Sequence, residues 1–185
     1  IINLSFRKMF FDRGIFSKSL RIGFPVGAQQ AFVALSFLAM YWIVNPFGTD
    51  ASAAYSVGMR IDSFASMPAM NFAMALATFV GQNIGANKPE RVRSGFHATL
   101  RMTSLISIMV TLLAVFFRHD LFSIFTSDPN VIHIGSGYLI IVSSFYVLFS
   151  TMFIVGGVMR GAGDTLVPMF ITLFVLWVVR IPASY

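Results

Sequence analysis

The chain has 185 residues, of which 57% are hydrophobic and 11% charged, with a mean hydropathy of +0.80. Soluble domains carry about 25% charged residues, so an ordinary soluble domain is excluded. The absence of cysteine rules out disulfides, zinc-thiolate centres and thiol catalysis, and the net charge of +6 sits beside apolar runs, where lipid and membrane orientation account for it and nucleic acid is not an expected partner.

Residues 1–21 mix Arg7, Lys8, Arg13, Lys18 and Arg21 with Phe6, Phe10, Phe11, Ile15 and Phe16, the composition of a basic amphipathic linker lying on the cytoplasmic membrane face. They hold no compact apolar core of a cleavable signal peptide. A first span is predicted over 22–44, ending at Asn45-Pro46-Phe47-Gly48, where Pro and Gly punctuate the chain. Thr49 or Asp50 is expected to cap the second, 51–84. This helix carries Arg60, Asp62, Pro68 and Asn71, so it is expected to bend and to line something polar. Asn87-Lys88-Pro89-Glu90 reads as a capping-box start for a third helix over 89–117. After Arg118-His119-Asp120 and a short interfacial stretch, Ser127-Asp128-Pro129 opens a fourth helix, 131–159. The turn 160–164 leads to a fifth helix over 165–185, antiparallel to the fourth. The fold class is therefore an all-α polytopic membrane helical bundle of about five transmembrane helices, because in lipid each segment must satisfy its own backbone. The chain begins without Met and ends within an apolar run, so it is expected to be part of a larger membrane protein. Lys and Arg crowd the N-terminal stretch, the 85–96 loop and the 160–164 turn; by the positive-inside rule these are cytoplasmic.

Three glycine pairs have GxxxG spacing: Gly23 and Gly27, Gly81 and Gly85, Gly157 and Gly161. They permit close helix packing in one cytoplasmic layer, or else serve as caps and kinks. Arg60, Asp62 and Arg180 are expected buried charges, since a central charge costs about 2.5–3.5 kcal/mol on insertion scales. Arg180 or Arg60 is the expected partner of Asp62, either as a structural ion pair or as a polar element of a transport pathway. Met40, Tyr41, Tyr55, Met59, Phe64, Met67, Met70, Met74 and Met152 are candidates for an adaptable cavity, because thioethers repack and aromatic faces attract cations; the alternative is packing against lipid or core. Gln29, Gln30 and Asn71 join them as polar candidates. His97, His119 and His133 lie far apart near helix ends, and no metal site is expected. No Ser, His and Asp set suggests an enzyme, and Gly161-Ala162-Gly163-Asp164 lacks the Lys-Ser/Thr of a phosphate loop.

Several strings together resemble the multidrug and toxic compound extrusion (MATE) family of antiporters. They are Leu20-Arg21-Ile22-Gly23-Phe24-Pro25, Asp50-Ala51-Ser52-Ala53-Ala54-Tyr55, Phe79-Val80-Gly81-Gln82-Asn83-Ile84-Gly85-Ala86, Phe125-Thr126-Ser127-Asp128-Pro129 and Gly157-Val158-Met159-Arg160-Gly161-Ala162-Gly163-Asp164-Thr165. The resemblance implies twelve helices in two six-helix lobes, with this chain as most of the C-terminal lobe and a missing N-terminal lobe as its partner in the same polypeptide. It further implies a multi-pass protein of the cell (inner) membrane that exports amphipathic cationic small molecules by alternating access, driven by sodium or protons and without a cofactor. Some members carry acidic cation ligands in the first and fourth helices of this lobe, whereas here those helices offer Gln29 and Gln30. Ion coupling is accordingly expected in the other lobe. A lipid-precursor or polysaccharide flippase of related fold is the nearest alternative and would require a more basic cavity. An assembly subunit is the further alternative.

Overall fold

The computed structural model describes residues 11–184, and every regular element among them is helical. Residues 1–10 of the expected linker lie outside the described residues. The boundary expected at residue 21 falls inside one continuous helix, α1 (Arg13–Val44), whose start is capped by Asp12 Oδ1 accepting from the backbone N–H of Gly14 at 2.7 Å and of Ile15 at 3.1 Å. Local chemistry explains the difference: an Asp cap satisfies the orphan donors of a first turn, and no proline follows it before Pro25. At 32 residues α1 is ~48 Å long, well beyond the ~30 Å apolar thickness of a bilayer.

A single 3₁₀ turn, Asn45–Phe47, joins α1 to α2 (Thr49–Gly85). Gly48, with φ of 100°, takes the N-cap position, so neither Thr49 nor Asp50 caps the helix; a left-handed turn there suits glycine and leaves both residues in the first turn. Helix α2 runs unbroken through Pro68, as neighbouring helices in membranes allow. Its end is closed by Asn87 at φ 54°, while Lys88 rather than Asn87 is the N-cap of α3 (Pro89–Phe116), without a side-chain bond. Asn87 cannot serve both ends: its left-handed backbone terminates α2, with Lys88 N–H donating to the Asn83 carbonyl at 2.9 Å, and this replaces the expected capping box.

In the short α4 (Arg118–Ser123) Phe122 is fully buried beside Gly135, where any Cβ would collide with its ring. Asp128 caps α5 (Pro129–Ser143), accepting from the Asn130 N–H at 2.9 Å. The single helix expected over 131–159 is in fact α5 and α6 (Tyr146–Gly161), bent by 50° between them. Helix α7 (Leu166–Leu173) continues through a π-helical stretch, Phe174–Arg180, into a last turn, α8 (Ile181–Ala183). By length and composition α1, α2 and α3 can each cross a membrane, and the bent α5–α6 pair together is long and apolar enough for a broken span or a re-entrant loop; Leu166–Arg180 is a shorter apolar helix.

Helix α2 is the hub, packing on α3, α5 and α6, while α1 pairs with α7. Two apolar clusters form along it, one around Ile61, Ala114, Phe122, Leu139 and Tyr146, the other around Ala73, Leu76, Val80 and Ile154. Between them the α2–α6 seam keeps one register. Tyr146 meets Asp62 across 84 residues, and the same offset sets Gly157 on Ala73 and Gly161 on Ala77. The two helices therefore run parallel.

Candidate functional site

The first feature of the site is a carboxylate shared by two tyrosines. Asp62 lies one turn beyond Gly58 on α2, and Gly58 leaves a notch that the Tyr138 ring fills; a Cβ there would lie 2.6 Å from that ring. Tyr138 of α5 donates to Asp62 Oδ2 at 2.6 Å, and Tyr146 of α6 donates to Oδ1 at 2.5 Å. Hydrogen bonds to a charged acceptor contribute about 1.5–3 kcal/mol each, which offsets much of the cost of holding a carboxylate away from water.

The hydrogen-bond partners of Asp62 are these tyrosines, not the expected arginines. Arg180 lies over the Phe37 ring, its guanidinium carbon 5.4 Å from the centroid, a cation–π placement. Arg60 is exposed rather than buried, because two positions along a helix turn a side chain through more than half a circle. Two phenols stand in place of a direct ion pair at the carboxylate oxygens. Tyr138 and Tyr146 were missed from sequence. They are eight residues apart, about two turns and so on one face of a helix, and that spacing was the available signal.

An aromatic chain continues from the carboxylate toward α1. Tyr138 meets Tyr55 edge-on with centroids 6.2 Å apart, and Tyr55 meets Tyr41 at 5.6 Å. Tyr41 bonds Ser56 of α2. Tyr55 is 7% exposed, and its buried hydroxyl has no hydrogen-bond partner among the described residues.

The second feature is an open face of α2. Arg60, Phe64, Met67, Asn71 and Met74 recur at helical spacing and are all exposed, Phe64 and Met74 to 67% and Met67 to 53%; Met70 borders them at 42%. Lipid would not favour Arg60 and Asn71 on such a face. The remaining candidates scatter. Met59 and Met40 are half-buried, Met152 is exposed on α6, and Gln30 is exposed on α1. Gln29 faces neither feature: its Nε2 donates to Thr172 Oγ1 at 2.7 Å and to the Pro168 carbonyl at 3.4 Å, clipping α1 to α7.

The glycine pairs separate in the same way. A Cβ on Gly157 would lie 2.6 Å from the Ala73 carbonyl oxygen, one on Gly161 would strike the Ala77 carbonyl, and one on Gly81 would lie 3.3 Å from the Gly161 carbonyl. Around Gly23, Gly27 and Gly85 there is open space. The packing layer is therefore an α2–α6 seam that omits α1, whose neighbour is α7. No group of three or more His, Asp or Glu able to hold a metal occurs among the described residues.

Residues 25–185 match the family model described as MatE. The chain is 30% identical over 179 residues to the "Probable multidrug resistance protein YoeA" of Bacillus subtilis, covering 97% of this chain and 39% of that protein. It is 31% identical over 169 residues to the "Probable multidrug resistance protein NorM" of Pasteurella multocida, covering 91% and 36% respectively. Among solved structures, the crystal structure of a MATE point mutant superposes with a TM-score of 0.89 at 18% identity, over 98% of this chain and 40% of the other. An outward-facing multidrug resistance MATE family transporter of the MOP superfamily gives 0.89 at 17% identity, over 98% and 41%. The chain thus spans about two-fifths of the length of these relatives and carries their fold. Since the family match begins within α1 and runs through every later helix, the chain belongs to the MatE family, whose members are transporters and not enzymes.

Proposed function

We propose that this chain is most of one lobe of a cation-coupled exporter of amphipathic cationic compounds, acting by alternating access with a second lobe of the same polypeptide. The observation that carries this reading is the open α2 face. Phe64, Met67, Met70, Asn71 and Met74 combine an aromatic ring, flexible thioethers and one amide, a surface that adapts to varied apolar cations. The names of the relatives, multidrug resistance proteins, support the same substrate class. Coupling by sodium or protons is assigned to the other lobe, because Gln29 is occupied with Thr172 and both Asp62 oxygens already accept from tyrosines.

The test uses the absence of native cysteine. In the full-length polypeptide in liposomes, cysteines placed at Met67 and Asn71 should react with a water-soluble maleimide, and saturating tetraphenylphosphonium should slow that reaction at least severalfold. Unchanged labelling at saturating cation would remove this face from the substrate path.

The orientation follows from charge. Arg91 and Arg93 mark the α2–α3 loop as cytoplasmic, and the α1–α2 turn at 45–48 carries no basic residue and lies outside. A cysteine at the exposed Ser94 should be silent to an impermeant reagent applied to intact cells and react after permeabilisation. Labelling in intact cells would invert the topology.

A further inference from the structure

The 50° bend between α5 and α6 falls at Ser144 and Phe145, with neither Pro nor Gly at the break. Sharp kinks otherwise arise from serine pairs, bulges or inserted side chains. Here Ser143 and Ser144 both return their hydroxyls to the Ile140 carbonyl, at 3.3 and 2.8 Å, and Thr111 of α3 donates to the Ser143 carbonyl at 2.9 Å. Those bonds satisfy a broken helix. They permit a bend without setting its direction or size.

Two side chains flanking the break converge on one carboxylate. Tyr138 precedes the break and Tyr146 follows it, and both reach Asp62. Along a straight helix two residues eight apart are separated by ~12 Å, so changing the bend moves one hydroxyl relative to the other. Tyr138 is held rigidly, its ring seated in the Gly58 notch and against Tyr55. Tyr146 is 7% exposed and lies in the apolar cluster with Ile61 and Leu139. Each half of the span is thus tied to the same two oxygens.

We propose that Asp62, Tyr138 and Tyr146 are positioning residues that set the bend of the α5–α6 span, and that this span flexes about Ser144 and Phe145 during transport. The flexing rests on the exporter reading above; the control of the bend does not.

Spin labels on cysteines at the exposed Ile134 and Val155 bracket the break. At a rise of ~1.5 Å per residue they lie ~31 Å apart on a straight helix and ~28 Å apart at the observed bend. In the full-length protein in liposomes, the labelled chain with Tyr138 and Tyr146 intact should give one narrow distance distribution. Tyr138→Phe with Tyr146→Phe keeps the rings and removes both donors, so it should lengthen the mean by about 3 Å or broaden the distribution severalfold. An unchanged narrow distribution in a folded double variant would overturn the proposal. Export of a cationic dye by the same variant separates the two claims: a lower maximal rate at unchanged KM supports flexing in the cycle, and full transport with an altered distance overturns the flexing while leaving the bend control standing. Should the protein export no cation at all, the distance measurement still decides the role of Asp62.

Discussion

Replacing Gly157 by leucine is expected to cost more stability than any other single change on the α2–α6 seam outside Gly161. The hydrogen of Gly157 rests on backbone, with the Ala73 carbonyl oxygen where a Cβ would come within 2.6 Å and the Ala73 Cα and carbonyl carbon at 3.2 Å. A flexible side chain can rotate away from an intruder; a helix backbone in register cannot. Overpacking costs about 1–3 kcal/mol where side chains can adjust, and here whole helices must part, breaking the contact that small residues provide in lipid. The thermal midpoint of the purified protein in detergent should fall by several degrees or more, and folded yield should drop with it. Gly23→Leu, in open space on α1, should leave both close to wild type. Equal effects at the two positions would argue against a localised seam.

That contrast shows what was legible in the sequence. GxxxG spacing marked Gly23 and Gly157 alike, because spacing records only that a helix has a small-residue stripe. Whether the stripe faces a neighbour depends on which helices pair, and α1 packs mainly on α7, meeting α2 through Tyr41 near their joining turn. The apolar runs marked the chain as an all-helical membrane bundle, since a bilayer demands long segments with internally satisfied backbones. The Ser143–Ser144 pair was a sequence signal for a break, but the Thr111 bond and the convergence of two tyrosines on Asp62 exist only in the folded chain. Likewise Asp62 stood out as a charge that must be satisfied, yet sequence pointed to arginine, the strongest partner in isolation, where the fold supplies two phenols. Phe64, Met67, Met70 and Asn71 were singled out by their chemistry, and the fold leaves all four exposed on α2. Gln29 was read as a cavity group because its contact with Thr172 spans 143 residues.

The central claim is that an ion gradient drives cation export through this lobe while the coupling carboxylate lies elsewhere. Asp62 is the sensitive point, being a carboxylate embedded among the spans. Asparagine at this position can accept from one tyrosine, but its amide nitrogen replaces the second acceptor, so one charge-assisted bond is lost and the other weakened. At about 1.5–3 kcal/mol for a hydrogen bond to a charged group, a loss of that size in the working conformation corresponds to roughly tenfold or more in rate. The decisive measurement is export of a fluorescent cation from proteoliposomes holding the full-length protein, wild type or Asp62→Asn, with sodium and proton gradients imposed separately. The expected result is gradient-driven export by the wild type, and in Asp62→Asn a slower export that still responds to the same gradient. Residual export indifferent to both gradients would make Asp62 the coupling site, and wild-type export that no gradient accelerates would contradict the central claim altogether.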